Sequence, residues 1–237
     1  MSEAATHYTE AIRLVKQHKL ESELELMSWF EWGNIDLQQG EYAAAVEKFQ
    51  QTRTIAHAGR SILFEALSLN NLAYAYLLKG DFDAAERAIQ AGLAHAERYA
   101  LLAAHQYLYS TRGEIALASG RLTEAEQNFQ QALHHAEKYD NPAFIANIQA
   151  HIGRVALASG KWEEALAHFT TAQAALQGDA TLHLQGQIAL WLTELYLQRG
   201  ESESAQTSLQ TAEAIATQGQ YAGLLEQAAQ MRAKLGQ

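Results

Sequence analysis

Apolar residues recur along most of the chain with the spacing of an α-helix that buries one face. The stretch from Leu67 to Lys79 illustrates it with Leu69, Leu72, Ala73, Tyr76 and Leu77. That spacing places these side chains on one side of a helix. Glycines interrupt the pattern, and acidic residues follow each of them within four positions. A glycine ends one helix and an acidic first turn begins another, so the pattern predicts paired helices.

The interrupting glycines recur at a fixed step of 40 residues, at Gly40, Gly80, Gly120, Gly160 and Gly200. Five positions after each glycine stands an alanine: Ala45, Ala85, Ala125, Ala165 and Ala205. Four positions further stands a large apolar residue: Phe49, Ile89, Phe129, Phe169 and Leu209. A fixed period of this size indicates a repeat array, in which neighbouring units share one continuous core.

Small residues mark the predicted contact between the two helices of each pair. Two helices approach to about 8 Å only when the residues at their contact are small. Gly113 and Gly153 stand in the first helix of their pairs, and Ala125 and Ala165 stand in the second. We expect these residues to form the contact, and the large residues at 129 and 169 to fill the space between neighbouring repeats.

These columns resemble the tetratricopeptide repeat (TPR) family. That family has a large and then a small residue in the first helix, followed by alanine, aromatic and small residues in the second. The first full repeat matches with Trp29, Gly33, Ala45 and Phe49, and the third with Tyr109, Gly113, Ala125, Phe129 and Ala132. The usual unit has about 34 residues, and the proline that often ends it is absent here. The longer unit is similar to a subgroup found in Pins-type adaptors, kinesin light chains, bacterial peptide-receptor regulators and maltose-activator-type signalling ATPases.

The resemblance implies an all-α fold, a right-handed superhelical α-solenoid whose first helices line a concave groove. Counting the helix patterns predicts about twelve helices. We expect one solenoid over residues 1–237, with a lone helix at 3–17, five pairs over about 20–218 and a capping helix at 220–235. A single proline in the chain, with abundant Ala, Leu, Gln and Glu, also favours helices.

Composition narrows the possible partners and the cellular location. The chain has 17 Lys and Arg against 27 Asp and Glu, a formal net charge of -10, and no basic patch, so we expect no nucleic-acid partner. It contains no cysteine, which excludes disulfides and thiolate sites. The first residues, MSEAATHYTEAIRLV, lack the apolar stretch of a secretory signal. No apolar run is long enough to span a bilayer, so we expect a cytoplasmic protein without a membrane partner.

Each short motif that resembles a phosphate-binding or metal-binding site lacks residues or spacing that such a site requires. We therefore expect no enzyme activity, no cofactor and no metal. Gly160-Lys161 resembles the end of a phosphate-binding loop, but Val155 replaces its first glycine and Trp162 its Ser or Thr. His134 and His135 are adjacent, so on a helix they point about 100° apart and cannot chelate one ion as i, i+4 histidines do.

First-helix positions that face the groove in the family supply the candidate partner-binding residues. They are Phe30, Asn34, Asn70, Asn71, Tyr74, Tyr107, Glu114, Asn147, Arg154, Gln187, Trp191 and Glu194. His151 shares these columns. The carboxylate clamp of chaperone-binding TPRs is not expected, because Phe30, Tyr107 and Thr111 stand where it needs cations. Amide and aromatic side chains can instead bind a peptide without specifying one sequence.

The lone N-terminal helix carries an apolar face on Tyr8, Ile12 and Val15, without the partner helix that such a face has in a full repeat. Two interpretations follow from this arrangement. The face is either exposed, as a self-association surface that would make a homodimer or as a docking site for an upstream segment, or it is buried because the helix rolls against the first repeat.

Two functions fit the whole pattern. The first is a protein–protein interaction scaffold that binds a peptide or protein segment in its groove. The second is the sensor module of a larger bacterial signalling protein, which binds a small effector or an effector peptide.

Overall fold

The computed structural model describes residues 3–18, 22–176, 178 and 181–235. These residues form twelve α-helices and no β-strand, which confirms the predicted all-α class and helix number. The helices are α1 (Glu3–His18), α2 (Ser22–Gln38), α3 (Tyr42–Ala58), α4 (Ile62–Lys79), α5 (Phe82–Arg98), α6 (Leu102–Ala118), α7 (Leu122–Glu137), α8 (Pro142–Ala158), α9 (Trp162–Ala175), α10 (Leu182–Arg199), α11 (Ser202–Gln218) and α12 (Ala222–Leu235).

The helices belong to two compact units. Unit one is Met1–Arg121 and contains α1 to α6, and unit two is Leu122–Gln237 and contains α7 to α12. Within each unit every helix packs against the next one along the chain. We call the even-numbered helices first helices and the odd-numbered ones second helices. First helices of successive pairs also touch, α4 with α6 in unit one, and α8 with α10 and α10 with α12 in unit two.

Glycine closes the turn inside each pair. Gly80 follows α4 with φ +81°, in the left-handed region, and the backbone N–H of Asp81 reaches back to the carbonyl of Tyr76 at 2.9 Å. This bond satisfies a carbonyl that the helix end leaves without a partner. The other four glycines of the column have φ between +72° and +78°. The structure therefore confirms the helix-ending role that the 40-residue period predicts.

The turns between pairs use left-handed residues that are not glycine. They are Arg60, Ala100, Asp140 and Gln220, with φ between +47° and +56°. These positions also follow the 40-residue step, and the remaining two, positions 20 and 180, lie outside the described residues. The N–H of the next residue bonds back over the helix end here too, as from Ser61 to the carbonyl of Ala56 at 2.8 Å. The turns at Ala100 and Gln220 close with the same bond, from Leu101 to Ala96 and from Tyr221 to Ala216, each at 2.9 Å.

The small and large columns build the core. All five alanines of the small column have no exposed surface, and the same is true of Phe49, Ile89, Phe129 and Phe169. A Cβ added to Gly33 would lie 2.7 Å from Cε1 of Phe49, and one added to Gly153 would lie 2.7 Å from Cε1 of Phe169. The phenylalanine thus packs directly on the glycine of its own pair. It also joins the next pair, since Phe169 shares a core cluster with Ile188 and Leu192.

Candidate binding faces on the first helices

Three asparagines form a continuous hydrogen-bonded chain between two first helices of unit one. Asn70 Nδ2 donates to Asn71 Oδ1 at 3.1 Å, and Asn71 Nδ2 donates across to Asn34 Oδ1 at 2.9 Å. Asn34 Nδ2 in turn donates to Glu31 Oε2 at 3.3 Å. The structure therefore brings three of the sequence-predicted residues together and links α2 to α4 through their side chains.

The chain of amides holds its members in fixed orientations. All three asparagines are partly buried. Oδ1 of Asn70 is buried and has no hydrogen-bond partner among the described residues. A primary amide offers two N–H groups and two lone pairs. Asn34 and Asn71 each use one N–H in the chain, so each keeps one N–H for another acceptor.

Phe30 lies deeper than its place among the candidate groove residues suggests. Its ring makes edge-to-face contacts with Phe49 at 5.8 Å and Phe64 at 5.6 Å between ring centroids. It also packs against the core cluster that contains Leu72. Much of its side chain is therefore occupied in packing between α2, α3 and α4. The remaining candidates of unit one, Tyr74, Tyr107 and Glu114, are partly buried on α4 and α6.

Unit two contains a cluster of aromatic rings around His151. The imidazole stacks on Phe129, with 5.3 Å between ring centroids and 10° between planes, and its centroid lies 5.7 Å from that of Trp191. Trp191 stacks in turn on Phe169 at 6.0 Å. His151 is only 6% exposed, so this groove-column residue is a core residue. Burial among rings, and to a lesser extent the charge of Arg154, lowers its pKa from 6.5 to about 3.

Arg154 covers the outer side of this cluster. Its guanidinium carbon lies 4.8 Å from the centroid of the Trp191 ring, in a cation–π contact. Its Nη1 lies 3.5 Å from Nδ1 of His151. An arginine has no acceptor, so Nδ1 of the imidazole is the accepting atom and the ring's proton belongs on Nε2. The sequence predicted Arg154 and Trp191 as binding residues but gave no sign that a buried neutral histidine supports them.

The other candidate residues of unit two lie on α8 and α10, the helices that carry Arg154 and Trp191. Asn147 lies on α8, and Gln187 and Glu194 lie on α10, and all three are partly buried. Gln198 donates to Glu194 at 3.4 Å. Polar groups therefore flank the aromatic cluster along both first helices.

The N-terminal helix is packed on α2 through aromatic rings. Tyr8 stacks on Trp32 at 6.4 Å between ring centroids, and Trp32 stacks on Trp29 at 5.5 Å. Ile12 and Val15 are 6% and 7% exposed. This burial favours the rolled-helix interpretation over an exposed self-association face on these residues.

The described residues hold no group of three or more His, Asp or Glu side chains placed to bind a metal ion. None of the described helices combines the length and the apolar character needed to cross a membrane.

Solved structures share the arrangement of helices. The chain is similar to a Rap protein complexed with Competence and Sporulation Factor, with 16% identity, a TM-score of 0.76, and coverage of 96% of this chain and 69% of that one. It is similar to the Rap conjugation gene regulator of the plasmid pLS20 in complex with the Phr* peptide, with 14% identity, a TM-score of 0.67, and coverage of 86% and 56%. At these identities the likeness shows the fold alone.

A third similar structure is a signal transduction ATPase with numerous domains from Pyrococcus horikoshii, which has a tetratricopeptide repeat sensor. It shows 17% identity and a TM-score of 0.67, over 87% of this chain and only 32% of that one. No curated protein sequence matches the chain. The family model of the MalT-like TPR region matches residues 61–237, more than half of the sequence. With the helix pairs, the helix-ending glycines and the packed small columns, this match shows that the chain belongs to the MalT-like TPR family.

Proposed function

We propose that the chain is a non-catalytic interaction scaffold that binds a peptide or protein segment along its first helices. Membership of a TPR family supports this role, and so does the likeness to a Rap regulator that was solved with a bound peptide. The observation that carries the proposal is the asparagine chain of unit one, from Asn70 through Asn71 to Asn34.

Amide side chains suit the recognition of a peptide backbone. A backbone presents one N–H and one C=O per residue, and an asparagine can bond to either. Asn34 and Asn71 are held in place by their mutual bond, so little side-chain entropy is lost when a peptide binds. Tyr74, Tyr107 and Glu114 extend this face along α4 and α6. In unit two, Asn147, Gln187, Trp191 and Glu194 are the proposed contacts.

Selection from a library of random peptides displayed on phage tests the proposal. The immobilised protein should enrich peptides that share a motif, and these peptides should bind it in solution. Asn71→Ala should weaken the binding of the enriched peptides about tenfold, since it removes hydrogen bonds worth roughly 0.5–1.5 kcal/mol each.

Gln51→Ala is the matched control. It also removes an amide, but from an exposed position on the second helix α3. Equal affinity of the Asn71→Ala and Gln51→Ala variants for every enriched peptide would contradict the proposed face. A failure to enrich any peptide would contradict peptide binding itself.

A second function is the sensor of a larger signalling protein. The MalT-like family match favours it, and the similar Pyrococcus horikoshii protein carries a tetratricopeptide repeat sensor. Such a module would bind a small effector or an effector peptide. Sequencing the full transcript that encodes the chain separates the two functions, because a sensor would continue into a nucleotide-binding or DNA-binding segment.

A further inference from the structure

The three arginines of unit two differ in what neutralises them. Nε of Arg199 lies 2.6 Å from Oε1 of Glu201, and its Nη1 lies 3.6 Å from Oε1 of Glu163. Arg232 forms a two-pronged ion pair with Glu213. Arg154 forms no ion pair with a carboxylate in the described part of unit two; its contacts there are the Trp191 ring and the imidazole of His151. Arg154 is therefore a fixed positive charge that is not paired with a carboxylate among the described residues of its own unit.

The surroundings of Arg154 hold its guanidinium in one orientation. One face of the guanidinium lies over the Trp191 ring, and one N–H points to His151 Nδ1. Because Trp191 stacks on Phe169 and His151 stacks on Phe129, both supports are anchored in the core. His151 is uncharged at neutral pH, so it neither adds to nor neutralises the positive charge of Arg154. Of the five guanidinium N–H donors, those not facing His151 remain for an acceptor.

We infer that Arg154, seated on Trp191, is the subsite for a carboxylate of the bound peptide. The inference rests on the proposed function and names the chemistry that unit two recognises: an Asp or Glu side chain, or the free C-terminus. The planar fork of a guanidinium accepts a carboxylate through two parallel hydrogen bonds. Glu194, three positions after Trp191 on α10, adds negative charge to the same helix. A singly charged carboxylate therefore fits better than a doubly charged phosphate.

Nuclear magnetic resonance with short peptides of known sequence tests the subsite. Acetyl-Ala-Ala-Glu-Ala-Ala-amide is compared with the same peptide containing Gln, and acetyl-Ala-Ala-Ala with a free C-terminus is compared with its amide. The signals followed are the indole N–H of Trp191, assigned from a Trp191→Phe spectrum, and the Nε–H of Arg154. The indole N–H of Trp162, on α9, is the internal control.

Both carboxylate peptides, or one of them, should shift the Trp191 and Arg154 signals in a saturable way, at roughly the millimolar concentrations expected for a few contacts. The two peptides that contain no carboxylate should leave the signals unmoved. The peptide that acts identifies the source of the carboxylate. Arg154→Gln should weaken the response at Trp191 at least about tenfold, through loss of the charge-assisted bonds. Arg232→Gln, at an arginine that already has a carboxylate, should not.

The subsite is overturned if neither carboxylate peptide shifts the signals, if each carboxylate peptide that shifts them is matched by an equal shift with its uncharged counterpart, or if inorganic phosphate gives an equal response. The titration of the unaltered protein decides the question even where Arg154→Gln fails to fold. This test is independent of the test of the proposed function, which uses peptide selection and the Asn71→Ala variant in unit one.

Discussion

Asn71 on α4 donates a 2.9 Å hydrogen bond to Asn34 on α2, 37 positions earlier in the chain. The bond joins two successive first helices directly, whereas the apolar core joins each second helix to the first helices of its own pair and of the next pair. Neighbouring repeats in unit one are thus held together by a polar contact on the helix face as well as by packing below it. The residues proposed to bind a peptide also contribute to the stability of their repeat.

Replacing Asn34 should therefore cost stability as well as binding. Asn34→Ala removes the acceptor of the bond from Asn71 and leaves that partly buried donor without its partner. The free energy of unfolding should fall by about 1 kcal/mol, within the range for a lost hydrogen bond. Urea denaturation followed by circular dichroism measures it, with Gln51→Ala as the exposed control. Equal midpoints for the two variants would show that the bond adds nothing to the fold.

A second prediction concerns the close contact between Gly153 and Phe169. A Cβ at Gly153 would lie 2.7 Å from Cε1 and 2.8 Å from Cδ1 of the ring, and 3.2 Å from Cβ of His168. Because the ring is fully buried, it has little room to move, and Gly153→Ala should cost about 1–3 kcal/mol of stability. Ala165→Leu, at another fully buried position of this contact, should cost a similar amount.

Gly223 supplies the matched control. It also lies in a helix, α12, but a Cβ there would meet nothing within 4 Å. Gly223→Ala should therefore stabilise the protein by up to about 1 kcal/mol, because alanine is the better helix former. Thermal unfolding should lower the midpoint for Gly153→Ala and raise it for Gly223→Ala. The same sign for both would refute the packing assigned to the small column.

The repeat could be predicted from the sequence because each of its columns is visible as a residue type. Gly80 marks its left-handed turn, and Ala165 marks its helix contact. The second set of turns left no such mark. Arg60 and Ala100 adopt the left-handed conformation with ordinary side chains, at an energetic cost that the surrounding helices impose.

The candidate binding faces were only partly predictable. The columns identified Arg154 and Trp191, and the structure brings these two together. They could not show that Phe30 packs between two other phenylalanines or that His151 is buried. A helical column fixes the direction of a side chain, but its depth depends on the sizes of neighbours from other helices. Those neighbours, Phe64 for Phe30 and Phe129 for His151, are distant from the residue they cover in the sequence.

A third prediction follows from the burial of His151. Its pKa is lowered from 6.5 to about 3 in the folded protein, so below pH 6.5 the unfolded chain takes up a proton that the folded chain does not. The stabilising contribution is complete above pH 6.5 and declines as the pH falls towards 3. The decline is at most about 1.4 kcal/mol per pH unit for this one group.

His151→Gln should remove that contribution and flatten the dependence of stability on pH. Urea denaturation at pH 7 and pH 5 measures the slope for the parent and the variant, and His134→Gln alters an exposed histidine as the control. The parent and His134→Gln should lose more stability between the two pH values than His151→Gln does. Parallel loss in all three proteins would mean that His151 can be protonated in the folded state.

The last prediction decides between the two interpretations of the N-terminal helix. Ile12 is 6% exposed and Leu14, two positions later on the same helix, is 38% exposed. If α1 buries its apolar face on α2 within one chain, Ile12→Glu places a charge in that contact. The free energy of unfolding should fall by more than the roughly 1.5–3 kcal/mol that the buried isoleucine side chain contributes, since the new carboxylate is also desolvated. Leu14→Glu should change stability by less than about 0.5 kcal/mol, as most exposed substitutions do.

Sedimentation velocity across micromolar concentrations supplies the second measurement. The parent should sediment as a monomer throughout, because its own chain already buries Ile12 and Val15 and partly buries Tyr8. Ile12→Glu should then lower the unfolding midpoint without changing the mass. A parent dimer that Tyr8→Glu/Ile12→Glu converts into a fully folded monomer would reverse this conclusion. It would show that the apolar face of α1 packs against a second copy and not against α2. Glutamates in a contact between two copies separate the copies and leave each fold intact, whereas glutamates in a contact within one chain would destabilise its fold.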